Sequence, residues 1–237
     1  MLNLQNIQMK IITWLAAFAF FIISCSSSSK QKTSAGDLSG GNSSGGNSTG
    51  GWISLFDGKS LKDWKVGENA STFSVENGMI VAHGPTAHLF YDGEVGNHNF
   101  KNFEFKTLVM TTPGSNSGIY FHTVYQEKSW PAKGYEVQVN NSHTDWRRTG
   151  SLYSIQDVRD TIVKDNEWYT EGIIVNGKRV IIKINDKTVV DYTEPENVQR
   201  PSGMAGRLIS SGTFALQGHD PKSIVYFKDL MVKPLPD

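Results

Sequence analysis

Apolar and polar residues alternate with period two over many short runs, and no long stretch keeps the period of a helix. Phe73-Ser74-Val75 and Met79–Ala82 flank Glu76-Asn77-Gly78, and Asn-Gly between such runs marks a hairpin because both residues tolerate positive φ. Leu89–Tyr91 and Phe103–Met110 follow. The next two runs matter most. If Ile119 and Phe121 face a core, Tyr120 and His122 face the other way. If Tyr135, Val137 and Val139 face the core, Glu136, Gln138 and Asn140 face the other way. Trp168–Tyr192 reads as a three-strand meander turning at Asn176-Gly177 and Asn185-Asp186. Phe214–Gln217 and Ile224–Val232 close the pattern, while 140–168 and 194–207 read as loops. Short, closely spaced strands predict an all-β sandwich or jelly roll.

Composition narrows this picture. Lys plus Arg and Asp plus Glu are 23 each, so no bulk charge favours nucleic acid as a partner. The single cysteine, Cys25, excludes a disulfide within the monomer and any multi-cysteine metal site. That cysteine has a context. Lys10 precedes the apolar run Ile11–Ile23, which has the length of a signal peptide rather than of a bilayer span. The run ends Ile22-Ile23-Ser24-Cys25, which resembles a bacterial lipobox. The expected organisation is a lipoprotein signal peptide over 1–25, lipidated at Cys25, with Met9 as an alternative start. A flexible Ser/Gly/Asn tether follows over 26–50, too polar to offset its ordering entropy, and one β domain occupies 51–237. The expected location is the cell envelope, lipid-anchored at the outer membrane and facing the periplasm.

Several separated motifs occur in a fixed order. They are Leu55-Phe56-Asp57-Gly58-Lys59-Ser60-Leu61 with Trp64, Asn116-Ser117-Gly118-Ile119-Tyr120, Tyr135-Glu136-Val137-Gln138, Thr149-Gly150-Ser151-Leu152-Tyr153, Glu167-Trp168, and Leu216-Gln217-Gly218-His219 with Phe227-Lys228-Asp229-Leu230. This ordered set resembles the 3-keto-disaccharide hydrolase family over about Trp52 to Leu235. The resemblance implies a concanavalin A-like β-sandwich. It also implies cleavage of glycosides already oxidised at C3, by hydrolysis or by C2 proton abstraction with elimination and then hydration. Many members of the family carry Arg where this chain has His122.

A ketone at C3 acidifies the hydrogen on C2, so the chemistry asks for a placed base and donors for the enediolate oxygens. Glu136 and His122 are the expected catalytic residues. Tyr120, Gln138, Arg148, Tyr153 and His219 are expected to bind the oxidised di- or oligosaccharide. A divalent cation could serve as Lewis acid, with Glu136 and His122 as its candidate ligands, although the scattered histidines show no tight ligand spacing. Sandwich-fold glucanases of the laminarinase type carry two acids on one strand. Here the run Glu136-Val137-Gln138-Val139-Asn140-Asn141 keeps only the first. A two-carboxylate mechanism would need a partner from elsewhere, such as Glu104 or Asp145. The alternative reading is a noncatalytic, lectin-like carbohydrate-binding module. An exposed Trp or Tyr in a cleft, with Glu136 and His122 far apart, would favour it.

Overall fold

The computed structural model describes residues 50–237, so the expected signal peptide, Cys25 and nearly all of the expected tether lie outside the described residues. Among the described residues no helix is long and apolar enough to cross a membrane. Thirteen strands among the described residues form two antiparallel sheets. The larger sheet has the order β11-β10-β9-β6-β13-β4-β3, with β1 pairing with β13. Its strands are β1 Ile53–Ser54, β3 Phe73–Glu76, β4 Met79–Ala82, β6 Phe103–Thr111, β9 Tyr169–Asn176, β10 Arg179–Ile184, β11 Lys187–Thr193 and β13 Val225–Pro234. The smaller sheet has the order β2-β5-β12-β7-β8, built from β2 Trp64–Val66, β5 Ala87–Tyr91, β7 Ser117–Thr123, β8 Tyr135–Val139 and β12 Thr213–Gly218. This is the all-β sandwich that the alternation predicts. The turns fall as expected: Asn77 and Gly78 both take positive φ between β3 and β4, as do Asn185 and Asp186 between β10 and β11.

The core lies between the sheets. Phe105 of β6 stacks on Phe214 of β12 at 4.7 Å between ring centroids, and Phe103 meets Phe214 edge-on at 4.9 Å. Each such pair adds about 0.5–1.5 kcal/mol beyond the burial of its surface. The two sheets differ on their outer faces. Strands β6, β9 and β10 alternate buried and half-exposed positions, as in a sheet with one face to solvent. Strands β5, β7, β8 and β12 are buried at every position. Polar residues on the outer face of the smaller sheet are therefore covered, and polar side chains covered in this way need partners.

One buried carboxyl lies in the core itself. Glu171 of β9 is 0% exposed, and neither carboxylate oxygen has a hydrogen-bond partner among the described residues. Burial pushes its pKa well above the ordinary carboxylate value, so the folded state holds a proton that the unfolded chain releases near 4.5. The folded state then binds more protons, and stability falls as pH rises from about that value toward the raised folded pKa. Glu171→Gln keeps the shape of the neutral acid and cannot ionise. Its melting temperature should match wild type at pH 5 and exceed it at pH 9. Parallel wild-type and variant curves would mean that another group sets the alkaline loss.

Candidate functional site

The site is built on the covered face of the smaller sheet. Cross-strand register aligns Phe90, Ala215, Tyr120 and Glu136 in one row across β5, β12, β7 and β8. One row along, Gln217 pairs with His88 and Gly118 pairs with Gln138, while Leu216 opposite Ile119 places Gln217 beside Gly118. Phe90, Tyr120 and Ala215 form a small apolar cluster of their own, separate from the main core. Above it lies a cleft of about 220 Å³ lined by Tyr120, Glu136, Gln138, Tyr153, Arg207 and His219, among others.

Glu136 is 5% exposed, and both carboxylate oxygens are held. Gln217 Nε2 donates to Oε1 at 2.9 Å, and Arg207 Nη2 donates to Oε2 at 3.2 Å. Gln217 stands on β12, two strands away, and the intervening position on β7 is Gly118. A Cβ at Gly118 would lie 2.6 Å from Glu136 Oε1, so the carboxylate reaches across β7 only because that residue has no side chain. Tyr120 sits in the same net and accepts from Gln217 Nε2 at 3.1 Å. Burial, and then the charge of Glu136, raise its pKa well above the usual phenol value, so it stays protonated. Gln138 Nε2 donates to Asn116 Oδ1 at 2.5 Å.

The Thr149–Tyr153 segment has a local purpose. It runs along the open edge of β8: Gly150 N donates to Gln138 O, Gln138 N to Ser151 O, and Tyr153 N to Glu136 O, all at 2.9 Å. This places Tyr153 beside the carboxylate, with Arg147 at 4.7 Å and Arg207 at 5.9 Å from its ring centroid. Trp130, from the loop between β7 and β8, is 45% exposed and forms another part of the wall.

Glu136, Tyr120, Gln138, Tyr153 and His219 thus share one cleft, but two expected residues are elsewhere. His122 does not join them. The β7–β12 register shifts between Tyr120 and Thr123, and His122 has φ 55, so a bulge breaks the alternation that would have put it beside Tyr120. The ring is fully buried against Phe103 and Phe121, with Nε2 2.9 Å from Lys101 O and Nδ1 accepting from Ser210 N at 3.2 Å. Burial lowers its pKa to about 4. It supports the sheet end and cannot share an ion with Glu136. Arg148 is likewise a structural residue: its Nη1 donates to Asn140 Oδ1, His143 O and Asp145 O at 3.1, 2.9 and 2.5 Å, pinning the loop after β8.

Arg207, Gln217, Asn116 and Trp130 also line the cleft and were not among the expected site residues. The alternation of β12 could have placed Gln217 with His219. No local pattern distinguishes Arg207 from Arg200, the other arginine of the loop 194–212. That loop is anchored by Glu194, which accepts from Ile209 N and from the Tyr135 hydroxyl, and by Arg200, which donates to the hydroxyls of Tyr135 and Tyr192. Of the two distant acids considered as partners, Glu104 accepts from Lys233 on the larger sheet, remote from the cleft lining. Asp145 does line the cleft, but its Oδ1 accepts from Arg147 N at 3.0 Å and pairs with Arg147 Nη1 at 3.5 Å.

His143, His219 and Asp220 offer ligand atoms within 4.8 Å of one another, close enough to be weighed as cation ligands. Their own hydrogen bonds account for the grouping. His143 Nδ1 accepts from Asp145 N at 3.1 Å, and His219 Nδ1 lies 2.8 Å from Asp220 Oδ2.

Comparison with known proteins bears on the family and the fold. A curated 3-keto-disaccharide hydrolase from Bacteroides thetaiotaomicron is 29% identical over 169 residues, which cover 60% of this chain and 58% of the relative. The chain thus spans less than two thirds of that relative's length. Two crystal structures of proteins from Parabacteroides distasonis share the fold. The first has a TM-score of 0.66 at 23% identity, covering 78% of this chain and 94% of that one. The second has a TM-score of 0.59 at 22% identity, covering 78% and 99%. The family profile described as "3-keto-alpha-glucoside-1,2-lyase-like domain" matches residues 51–233, nearly all of the described structure, and the chain belongs to that family.

Proposed function

We propose that this is a carbohydrate-active enzyme that cleaves glycosides oxidised at C3, beginning with removal of the C2 proton. One observation carries the reading. Gln138 Oε1, Gln217 Oε1 and Arg207 Nη1 are buried, belong to side chains lining one cleft, and have no hydrogen-bond partner among the described residues. Buried polar atoms of this kind cost about 1–3 kcal/mol each when unpaired. A compact ligand rich in hydroxyl and carbonyl oxygens would satisfy all three, and a sugar is such a ligand. The family and the name of the curated relative supply the oxidised substrate.

In this reading Glu136 is the base. Its carboxylate sits at the cleft floor with lone pairs to spare beyond the bonds to Gln217 and Arg207. Arg207 ties the base to the developing charge: one end of its guanidinium holds Glu136, and the free Nη1 is available to the C3 oxygen as the enediolate forms. The two glutamine carbonyls accept from sugar hydroxyls, and the protonated Tyr120 hydroxyl is a donor at the floor. Expulsion of the C1 substituent completes an elimination. Addition of water to the product gives net hydrolysis, and release before that addition gives a lyase.

A lectin-like module is the second reading, favoured by the half-exposed Trp130 in the cleft wall and by the separation of His122 from Glu136. Against it, Arg207 brings to Glu136 the charged company that His122 does not. Turnover decides between them. The purified protein should cleave a 3-keto-disaccharide and leave the unoxidised sugar intact. Glu136→Gln should lower kcat by about 100-fold or more, as loss of a general base does. Binding of both sugars without cleavage would favour the module.

Gly118→Ala isolates the placement of the base from its identity. Gly118 does not have positive φ, so alanine fits its backbone, yet the new methyl displaces the carboxylate. The expected result is a folded protein with kcat reduced about 100-fold, the scale of a 1 Å misplacement. Activity equal to wild type would show that the reach of Glu136 to Gln217 does not matter. The lipid anchor at Cys25 belongs to the same proposal, supported by the sole cysteine standing at the end of the apolar run. Cys25→Ala should be exported yet leave the membrane fraction, and a membrane-bound variant would remove the anchor from the reading.

A further inference from the structure

His219 stands just past the end of β12, on the same face as Ala215 and Gln217, and lines the cleft. Its surroundings orient it. Nδ1 lies 2.8 Å from Asp220 Oδ2, and the backbone carbonyl accepts from Thr86 Oγ1 at 2.8 Å. Asp220 is itself fixed: Ser223 Oγ donates to Oδ2 at 2.7 Å and Lys222 N donates to Oδ1 at 2.9 Å. Burial alone would raise the Asp220 carboxyl, but the bonds from His219, Ser223 and Lys222 outweigh it and bring it to about 2. A permanent carboxylate therefore claims Nδ1–H. Nε2 is left without a protein partner among the described residues. The ring lies 5.6 Å from Trp130 and 5.5 Å from His143, centroid to centroid.

The ionisable neighbours facing His219 are Asp220 beside it, His143 from the loop after β8, and His88 from β5. Burial, and then His219 itself, lower the pKa values of both His88, to about 3, and His143. At both rings the shift favours the neutral imidazole. His88 Nε2 is also buried without a partner, packed under Tyr120 and Trp130. Among these three imidazoles, His219 alone combines a place in the cleft lining with a carboxylate bonded to its ring. Glu136 occupies a different row and strand of the same face, so the cleft has two proton-transfer groups of different kinds on different walls.

We propose that His219, held by Asp220, is the catalytic acid that protonates the departing glycosidic oxygen. This rests on the reading of the cleft as a 3-keto-glycosidase site. Glu136 takes the C2 proton, and the C2–H electron pair becomes, by way of the enediolate, the π bond of a C1=C2 double bond. The C1–O bond breaks with its pair on the aglycone oxygen, which receives the Nε2 proton of His219. Water then adds at C1 and gives its proton to Nε2, while Glu136 returns its proton to C2. Both residues end as they began, and no other reactant is consumed.

A catalytic acid matters in proportion to how poorly the aglycone leaves, and a structural residue does not. The test compares His219→Gln and Asp220→Asn with wild type on two substrates, a 3-keto-disaccharide and a 3-keto-glucoside of p-nitrophenol. Exchange of the C2 hydrogen in deuterium oxide is followed alongside. Each variant should lose at least about 100-fold in kcat on the disaccharide, as loss of general acid catalysis does. On the p-nitrophenyl substrate the loss should be less than about fivefold, and C2 exchange should persist. Equal losses on both aglycones, or abolished C2 exchange with the fold intact, would overturn the assignment of His219 and leave the proposed function standing. Wild-type protein inert toward both substrates would overturn the proposed function, and this assignment with it.

Discussion

A carboxylate buried on a sheet face must be paired, and the arrangement of this cleft follows from meeting that requirement at Glu136. Removing a carboxylate from water costs several kcal/mol unless opposite charge and hydrogen bonds replace the lost hydration. The replacements come from two distant places, Gln217 on β12 and Arg207 on the loop before it. Each imposes a condition on the chain between. Gln217 can reach only if β7 presents no side chain at Gly118. Arg207 can reach only if the 194–212 loop folds back over the sheet, and Glu194 and Arg200 hold it there through Tyr135 and Tyr192. The interaction that fixes the Glu136 carboxylate therefore also explains why the outer face of the smaller sheet is covered.

The same geometry separates support from chemistry along single segments. Tyr135 and Glu136 are neighbours on β8 and point to opposite faces. Tyr135 helps to anchor the loop that carries Arg207, and Glu136 receives Arg207 itself. In the loop after β8, Arg148 ties backbone carbonyls together while Arg147 lies over Tyr153. Adjacent residues of one type thus serve opposite purposes, and which one faces the cleft is decided by the loop's own hydrogen bonds.

Much of this could be read from residue order. The two-residue period places strands β3, β4, β6 and β9–β13, and turn residues that accept positive φ mark their hairpins, because strand faces and turn conformations are local properties. The same rule puts Glu136 and Gln138 opposite Val137, and Tyr120 opposite Ile119. It fails at His122, two residues after Tyr120. An extra residue in β7 moves the imidazole to the buried end of the sheet, between Lys101 and Ser210. Nothing in the apolar pattern announces that bulge.

Sequence by itself determined a β-sandwich, its strand faces and the acid at the centre of the candidate site. These depend on alternation and on turn chemistry within a few residues. Only the tertiary structure decided the company that acid keeps. Arg207 lies 71 positions from Glu136 and Gln217 lies 81, and such pairs meet through sheet order and loop return. Asp145 enters the cleft and Glu104 does not for the same reason: one rides the loop over the smaller sheet, and the other sits on the larger one. Period and spacing carry no information across such distances, because the contact is made by the folded surface and not by the chain.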